Sequence, residues 1–228
     1  MINKDVAIVI PVYNEAKVIK GVIESVMHEY GSVICVNDGS IDSSSEEIRK
    51  TKAFLIEHPI NMGQGAALQT GIEFALMLKN IKYIVTFDAD GQHRIEDVTS
   101  MLDVIRSGNV DIVLGSRFLG KSTNMSTLKK GLLKAAVIFT NATSGLTLTD
   151  THNGLRVMTR RTAELLDLKM SDYTHASEII ERISQKNLRF IEIPVTIDYT
   201  EYSIAKGQSP LNAINIAFDM LMQRISGR

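Results

Sequence analysis

Tyr83-Ile84-Val85-Thr86-Phe87-Asp88-Ala89-Asp90-Gly91-Gln92-His93 is an apolar run that stops on two carboxylates one residue apart. Five residues rich in β-branched and aromatic side chains, ended by Asp and Gly, read as a buried strand running into a turn. Two carboxylates at the carboxyl end of such a strand form a hard oxygen site. Mg²⁺ or Mn²⁺ bound by one or two carboxylates completes its shell with water and phosphate oxygens, so the pair points to a diphosphate ligand. Asp and Gly also favour turns for backbone reasons alone, so the neighbouring segments decide the reading.

Outward from this run, the chain alternates short β-rich runs with amphipathic stretches. Strands are expected at Val6 to Ile10, Val33 to Val36, Phe54 to Ile56, Tyr83 to Phe87 and Asp111 to Leu114. Helices are expected at Ala16 to Glu29, Ser44 to Lys50, Gln64 to Leu78 and Ile95 to Ile105. This rhythm predicts an α/β fold with a mostly parallel sheet and helices on both faces. The strands lack polar alternation, as double-sided burial requires.

Past Arg117 the pattern changes. Gly120 to Thr127 reads as a mobile loop, and Leu128 to Thr140 as an apolar helix carrying Lys129, Lys130 and Lys134. A strand at Leu155 to Met158, helices at Arg161 to Leu166 and Ala176 to Gln185, and a strand at Phe190 to Ile197 follow. Pro194 marks the last strand as an edge or an irregularity. Tyr199 to Ser209 is polar. Leu211 to Ile225 reads as a helix with Leu211, Ile214, Phe218, Leu221, Met222 and Ile225 on one face. That face fits packing on the domain, a small membrane protein partner or self-association. No repeat or linker divides the 228 residues, so 1–228 reads as one domain. Within it, 1–117 is the nucleotide half, 118–209 the acceptor half and 210–226 the terminal amphipathic helix.

Composition narrows the function classes. A net charge of −1 gives no electrostatic drive toward nucleic acid. The single cysteine, Cys35, excludes an intramolecular disulfide framework, and its apolar run makes it a core residue. No apolar run reaches the ~18 residues of a membrane span, and the start lacks the ordered regions of a signal peptide. The expected location is cytoplasmic.

In open α/β sheets ligands bind beyond the carboxyl ends of the strands. Four polar clusters fall there: Pro11-Val12-Tyr13-Asn14-Glu15, Asn37-Asp38-Gly39-Ser40-Ile41-Asp42, Asn61-Met62-Gly63-Gln64-Gly65-Ala66 and Asp88-Ala89-Asp90-Gly91-Gln92-His93. In order and spacing, from Val6 to Arg117, they resemble the family 2 inverting glycosyltransferases, which have a GT-A fold. Asp-Gly-Gln-His after the acidic pair, Gly115-Ser116-Arg117, and Asp150-Thr151-His152-Asn153-Gly154-Leu155-Arg156 are similar to the dolichyl-phosphate mannosyltransferase-like branch.

The resemblance implies a role for each position. Pro11, Tyr13, Asn14 and Glu15 would line the base and ribose pocket, with Asp38 and Gly39 beside them. Gly63 and Gly65 would let backbone approach the nucleotide at a helix start. Asp88 and Ala89 would fix the donor, and Asp88, Asp90 and Gln92 would face Mg²⁺ or Mn²⁺. The implied donor is a UDP-sugar, glucose or N-acetylglucosamine ahead of GDP-mannose. The implied acceptor is a polyprenyl phosphate such as undecaprenyl phosphate, for cell-wall or surface polysaccharide assembly, placing the protein peripherally at the cytoplasmic membrane face.

An acceptor phosphate is already an anion and needs cations more than a base. Arg117 leads the candidates, with Lys206 in Lys206-Gly207-Gln208-Ser209 behind it and Lys129, Lys130 or Lys134 as supplements. Asp150 and Glu178 compete for a base or orienting role, and Glu178 also fits as a favourable first-turn charge. His93 and Arg156 fit local turn and ion-pair roles, and His175 a cap or phosphate contact, with a plain surface position favoured. Two alternatives stand beside this reading: transfer to a sugar hydroxyl of a growing glycan, and a non-catalytic nucleotide-sugar-binding subunit of a membrane complex.

Overall fold

The computed structural model describes residues 2–169, 175–200 and 202–203. Lys206 and the terminal helix expected at Leu211 to Ile225 lie outside the described residues. The chain runs β1 (Asn3–Val12), α1 (Ile19–Met27), β2 (Tyr30–Asp38), α2 (Ser44–Arg49), β3 (Phe54–His58), α3 (Gln64–Met77), β4 (Tyr83–Thr86) and α4 (Ile95–Arg106). It continues with β5 (Ile112–Thr123), α5 (Thr127–Ser144), β6 (Arg156–Thr159), α6 (Arg160–Leu166), α7 (His175–Gln185) and β7 (Phe190–Asp198). Every strand and helix expected from the sequence within these residues is present.

The seven strands form one sheet in the order β3-β2-β1-β4-β6-β5-β7. All pairings are parallel except those of β6, which runs antiparallel to both β4 and β5. Alternation along the strands divides the core in two. Val6, Ile8, Ile10 and Val12 point to the face covered by α1 and α4, with Val22, Ile23, Met101 and Leu102. Ala7 and Val9 point to the opposite face, beneath α3, α6 and α7, with Leu68, Ile72, Ala163 and Ile179. Cys35 is wholly buried on the first of these faces.

Of the segment expected to be a mobile loop, Gly120 to Thr127, the first four residues are strand, Asn124 to Ser126 connect, and Thr127 opens α5. β5 continues to Thr123, pairing Lys121 with Thr196 and Thr123 with Asp198 after a register shift beyond Ser116. The polar residues misled because edge pairing is made by backbone groups and needs no apolar side chains. Gly120 permits the approach: a Cβ there would lie 2.0 Å from the Val195 carbonyl oxygen. Pro194 sits on β7, an edge strand, opposite Ser116 where the ladder breaks. That is where a residue without an N–H is tolerated.

Gly120→Ala should therefore force the two strands apart. The expected loss is about 1–3 kcal/mol, the usual cost of overpacking, read by urea unfolding at unchanged secondary structure.

Candidate active site

β1, β2, β3 and β4 end on the same side of the sheet, which brings the four polar clusters to one rim. On β1's end, the Asn14 amide donates to Ser40 Oγ and its side-chain oxygen accepts from the Ile41 amide. The Glu15 amide donates to Ser44 Oγ. The first two clusters are thus stitched together, with Tyr13 left exposed beside them. Asp38 is buried and its carboxylate accepts from the amides of Met62 and Gly63 at 2.9 and 2.8 Å. Gly63 caps α3, and no side chain caps that helix, so its first-turn amides face the rim. Gly39 is pressed against the Ile60–Asn61 backbone, and Gly65 is buried in the first turn of α3.

Asp88 is the hub of the rim. Its Oδ2 lies 2.9 Å from His93 Nε2, and its Oδ1 accepts from Gln64 Nε2 at 3.3 Å. Burial opposes its ionisation, but His93, Arg156 and His175 outweigh that and hold the carboxyl below the usual range. Gly154 makes room for it: a Cβ there would lie 2.1 Å from Asp88 Oδ2. Thr86 Oγ1, donating to the Gly154 carbonyl at 2.6 Å, fixes that approach. Ala89 is buried under the turn.

Asp90 behaves oppositely. Burial first, and the Asp88 charge second, push its carboxyl up to about 6. Gln92 donates to it twice, from its backbone amide at 3.0 Å and its side chain at 2.6 Å. Two neighbouring carboxylates, one of them reluctant to ionise for want of a counter-charge, suit a hard divalent cation. Asp88, Asp90 and the Gln92 side-chain oxygen are the groups here that could offer oxygen donors to such an ion. Among the described residues no group of three or more His, Cys, Asp or Glu side chains could hold a metal by itself.

The other side of the rim is built on Arg117 and Asp150. Arg117 Nε donates to Asp150 Oδ2 at 2.6 Å, with the two side chains 9% and 1% exposed. The same guanidinium donates to the His152 carbonyl at 2.8 Å and to Tyr199 Oη at 3.1 Å. Glu192 on β7 accepts from the Asp150 amide and from Thr149, fixing the acidic partner from behind. Arg117 is thus enclosed rather than presented. Lys129 sits over the Tyr199 ring, with Nζ 4.3 Å from its centroid. Burial and the Arg117 charge lower its pKa while Asp90 raises it, so its ammonium shares the field of both halves of the rim.

Glu178 does not join the site's open side. It is buried in the first turn of α7, accepts from the Lys169 amide at 3.0 Å and pairs with Arg182 at 3.3 Å. His175 is buried at 5% exposure, against the surface position expected for it. His152 is held neutral, lowered to about 4 by burial despite the pull of Asp150. Arg156 is buried and lowered to about 10 by desolvation, opposed by Asp88 and Asp150.

The sequence reading missed Gln64, Tyr199, Tyr202 and Glu192. Tyr202 Oη donates to Glu15 Oε2 at 2.8 Å, carrying the segment after β7 back to the end of β1. Polarity in a long late segment gave no signal for a contact with the first strand.

The rim thus gathers an acidic turn, a glycine-rich helix start and a shielded cationic flank at one end of the sheet. Residues 7–166 match the glycosyl transferase family 2 model, and the chain belongs to that family of glycosyltransferases. It is 31% identical, over 99% of this chain and 98% of the relative, to a UDP-N-acetylglucosamine–dolichyl-phosphate N-acetylglucosaminyltransferase of Methanococcus voltae. It is 26% identical to the polyprenol monophosphomannose synthase of Mycolicibacterium smegmatis, over 97% of this chain and 87% of that one. The fold is similar to glucosyl-3-phosphoglycerate synthase from Mycobacterium tuberculosis in complex with Mn²⁺, uridine diphosphate and phosphoglyceric acid. The TM-score is 0.70 at 13% identity, covering 95% of this chain and 78% of that one. The GT-A-like architecture expected from the sequence is thereby established.

Two substitutions test the geometry. Gly154→Ala should displace the Asp88 carboxylate and lower Mn²⁺ affinity by about 10–100-fold, read by calorimetry, with circular dichroism unchanged. Asp150→Ala leaves Arg117 buried and unpaired, and should cost about 3–5 kcal/mol in urea unfolding.

Proposed function

We propose that this glycosyltransferase moves a sugar from a UDP-sugar to a polyprenyl phosphate, with inversion at the anomeric carbon. One observation carries the choice of acceptor. Both carboxylates that the sequence nominates for a base role are paired with arginine, Asp150 with Arg117 and Glu178 with Arg182. A sugar hydroxyl needs a base to become a nucleophile, whereas a phosphate oxygen is already anionic. The near full-length similarity to a dolichyl-phosphate N-acetylglucosaminyltransferase supports the same reading and favours UDP-N-acetylglucosamine.

In this reading the first-turn amides of α3 and the side chains at the end of β1 hold the nucleotide. Asp88, kept ionised by His93 and Arg156, and Asp90 hold the Mg²⁺ or Mn²⁺. That cation, when bound, supplies positive charge to the diphosphate as it departs. Lys129 holds the acceptor phosphate and offsets its repulsion from the donor. Arg117 is a positioning residue here: with Asp150 it fixes Tyr199, whose ring carries the Lys129 ammonium. The phosphate oxygen attacks the anomeric carbon, the bond to the nucleoside diphosphate breaks, and no proton needs to move. The lipid acceptor brings the reaction to a membrane surface. Among the described residues no helix is long and apolar enough to cross a membrane.

Purified protein incubated with labelled UDP-N-acetylglucosamine or UDP-glucose, Mn²⁺ and undecaprenyl or dolichyl phosphate should yield a labelled lipid phosphosugar. Asp90→Ala should abolish it, and Lys129→Ala should raise the KM for the lipid about tenfold or more. Transfer to glycan hydroxyls and not to lipid phosphate would overturn the acceptor.

The pH dependence has a definite sign. Because the Asp90 carboxyl is raised to about 6, its contribution to stability is present at low pH and is lost as pH rises through 6. A cation that binds the ionised pair reverses that loss. The rise in Tm on adding MnCl₂ should therefore be small at pH 5, grow through pH 6 and level off above pH 7.

A further inference from the structure

His58 ends β3, outside every cluster named from the sequence, yet its ring is held at both nitrogens. Nδ1 lies 2.8 Å from Asp38 Oδ1 and Nε2 lies 3.0 Å from Thr70 Oγ1 on α3. The side chains of His58 and Asp38 are 9% and 4% exposed. Asp38 already accepts two amides, and its carboxylate takes a third donor from Nδ1, while Nε2 shares a hydrogen bond with the Thr70 hydroxyl. The amides bound by Asp38, those of Met62 and Gly63, immediately precede Gln64, and the Gln64 side chain donates to Asp88. A continuous series of contacts thus runs from Thr70 through His58, Asp38 and the 62–64 backbone to the carboxylate hub.

We infer that His58 is a positioning residue that, by orienting Asp38, holds the 61–65 loop in the conformation that receives the diphosphate of the nucleotide donor. This rests on the reading of the rim as a nucleotide-sugar site. It also adds to the part expected for Asp38, which gives three acceptor sites to His58 and the loop. Without the imidazole, Asp38 is free to rotate, the Met62 and Gly63 amides lose a fixed acceptor, and Gln64 loses its aim at Asp88. An asparagine places an amide nitrogen near Nδ1 and retains the donor to Asp38. The effect falls on the diphosphate and not on the base, because the end of β1 is held separately by Ser40 and Ser44.

The test compares wild type, His58→Ala and His58→Asn by calorimetry with UDP and with UMP in the presence of Mn²⁺, and by amide hydrogen exchange. His58→Ala should weaken UDP binding about 10–100-fold, as loss of a supporting partner behind a metal site does, and leave UMP binding unchanged. It should accelerate exchange at Met62 and Gly63, and His58→Asn should restore both. A His58→Ala protein that binds UDP like wild type, or loses UMP as much as UDP, overturns the inference. A wild type that binds neither nucleotide overturns the reading of the rim. In that case unchanged exchange at Met62 and Gly63 in His58→Ala overturns the loop-holding role as well, and faster exchange sustains it.

Discussion

A carboxylate held ionised inside a fold needs donors and positive charge around it, and Asp88 gathers them from its own turn and from two segments distant in sequence. Gln64 comes from the start of α3, His93 from its own turn, and Arg156 and the bare Gly154 Cα from the segment leading into β6. Each fixes one side of the carboxylate, and the sheet order makes the meeting necessary. β4 lies between β1 and β6, so its carboxyl end is flanked by the β1 cluster and by the residues that enter β6. Asp90, two residues on, has Gln92 as its donor, and burial first and the Asp88 charge second raise its pKa.

The cationic side of the rim follows the same logic at greater depth. An arginine and an aspartate both nearly excluded from water tolerate their burial only because each is hydrogen-bonded on several sides. Their value to the site lies in what they hold. Tyr199 rests on Arg117 and carries Lys129, so a charge that a mobile lysine would spread over solvent is aimed at the rim. The antiparallel pairing of β6 brings Asp150 beside the middle of β5, where Arg117 sits, a placement a purely parallel sheet would not give.

Much of this was legible in the residues. Continuous apolar runs such as Val6 to Ile10 and Tyr83 to Phe87 marked buried strands, and the turn residues after them marked the rim. The extension of β5 through Lys121 to Thr123 was not legible, because an edge ladder is written in backbone geometry and the small residue at Gly120. The sense of β6 was not legible either, since periodicity carries no direction. Within the site, the acidic pair and the glycine-rich helix start stood out by composition. The enclosure of Arg117, the burial of His175 and the contacts of Tyr202 and Glu192 depend on chain separations that no local pattern encodes.

The central claim is that the Asp88–Asp90 turn and a nucleoside diphosphate share one divalent cation. Electron–nuclear double resonance of Mn²⁺ bound to the protein with UDP reads that contact directly, through coupling of the metal to phosphorus. Strong ³¹P coupling in the wild type, lost in Asp90→Ala at equal Mn²⁺ and UDP, is the expected result. Absence of that coupling in the wild type, or its persistence at the same strength in Asp90→Ala, would contradict the account.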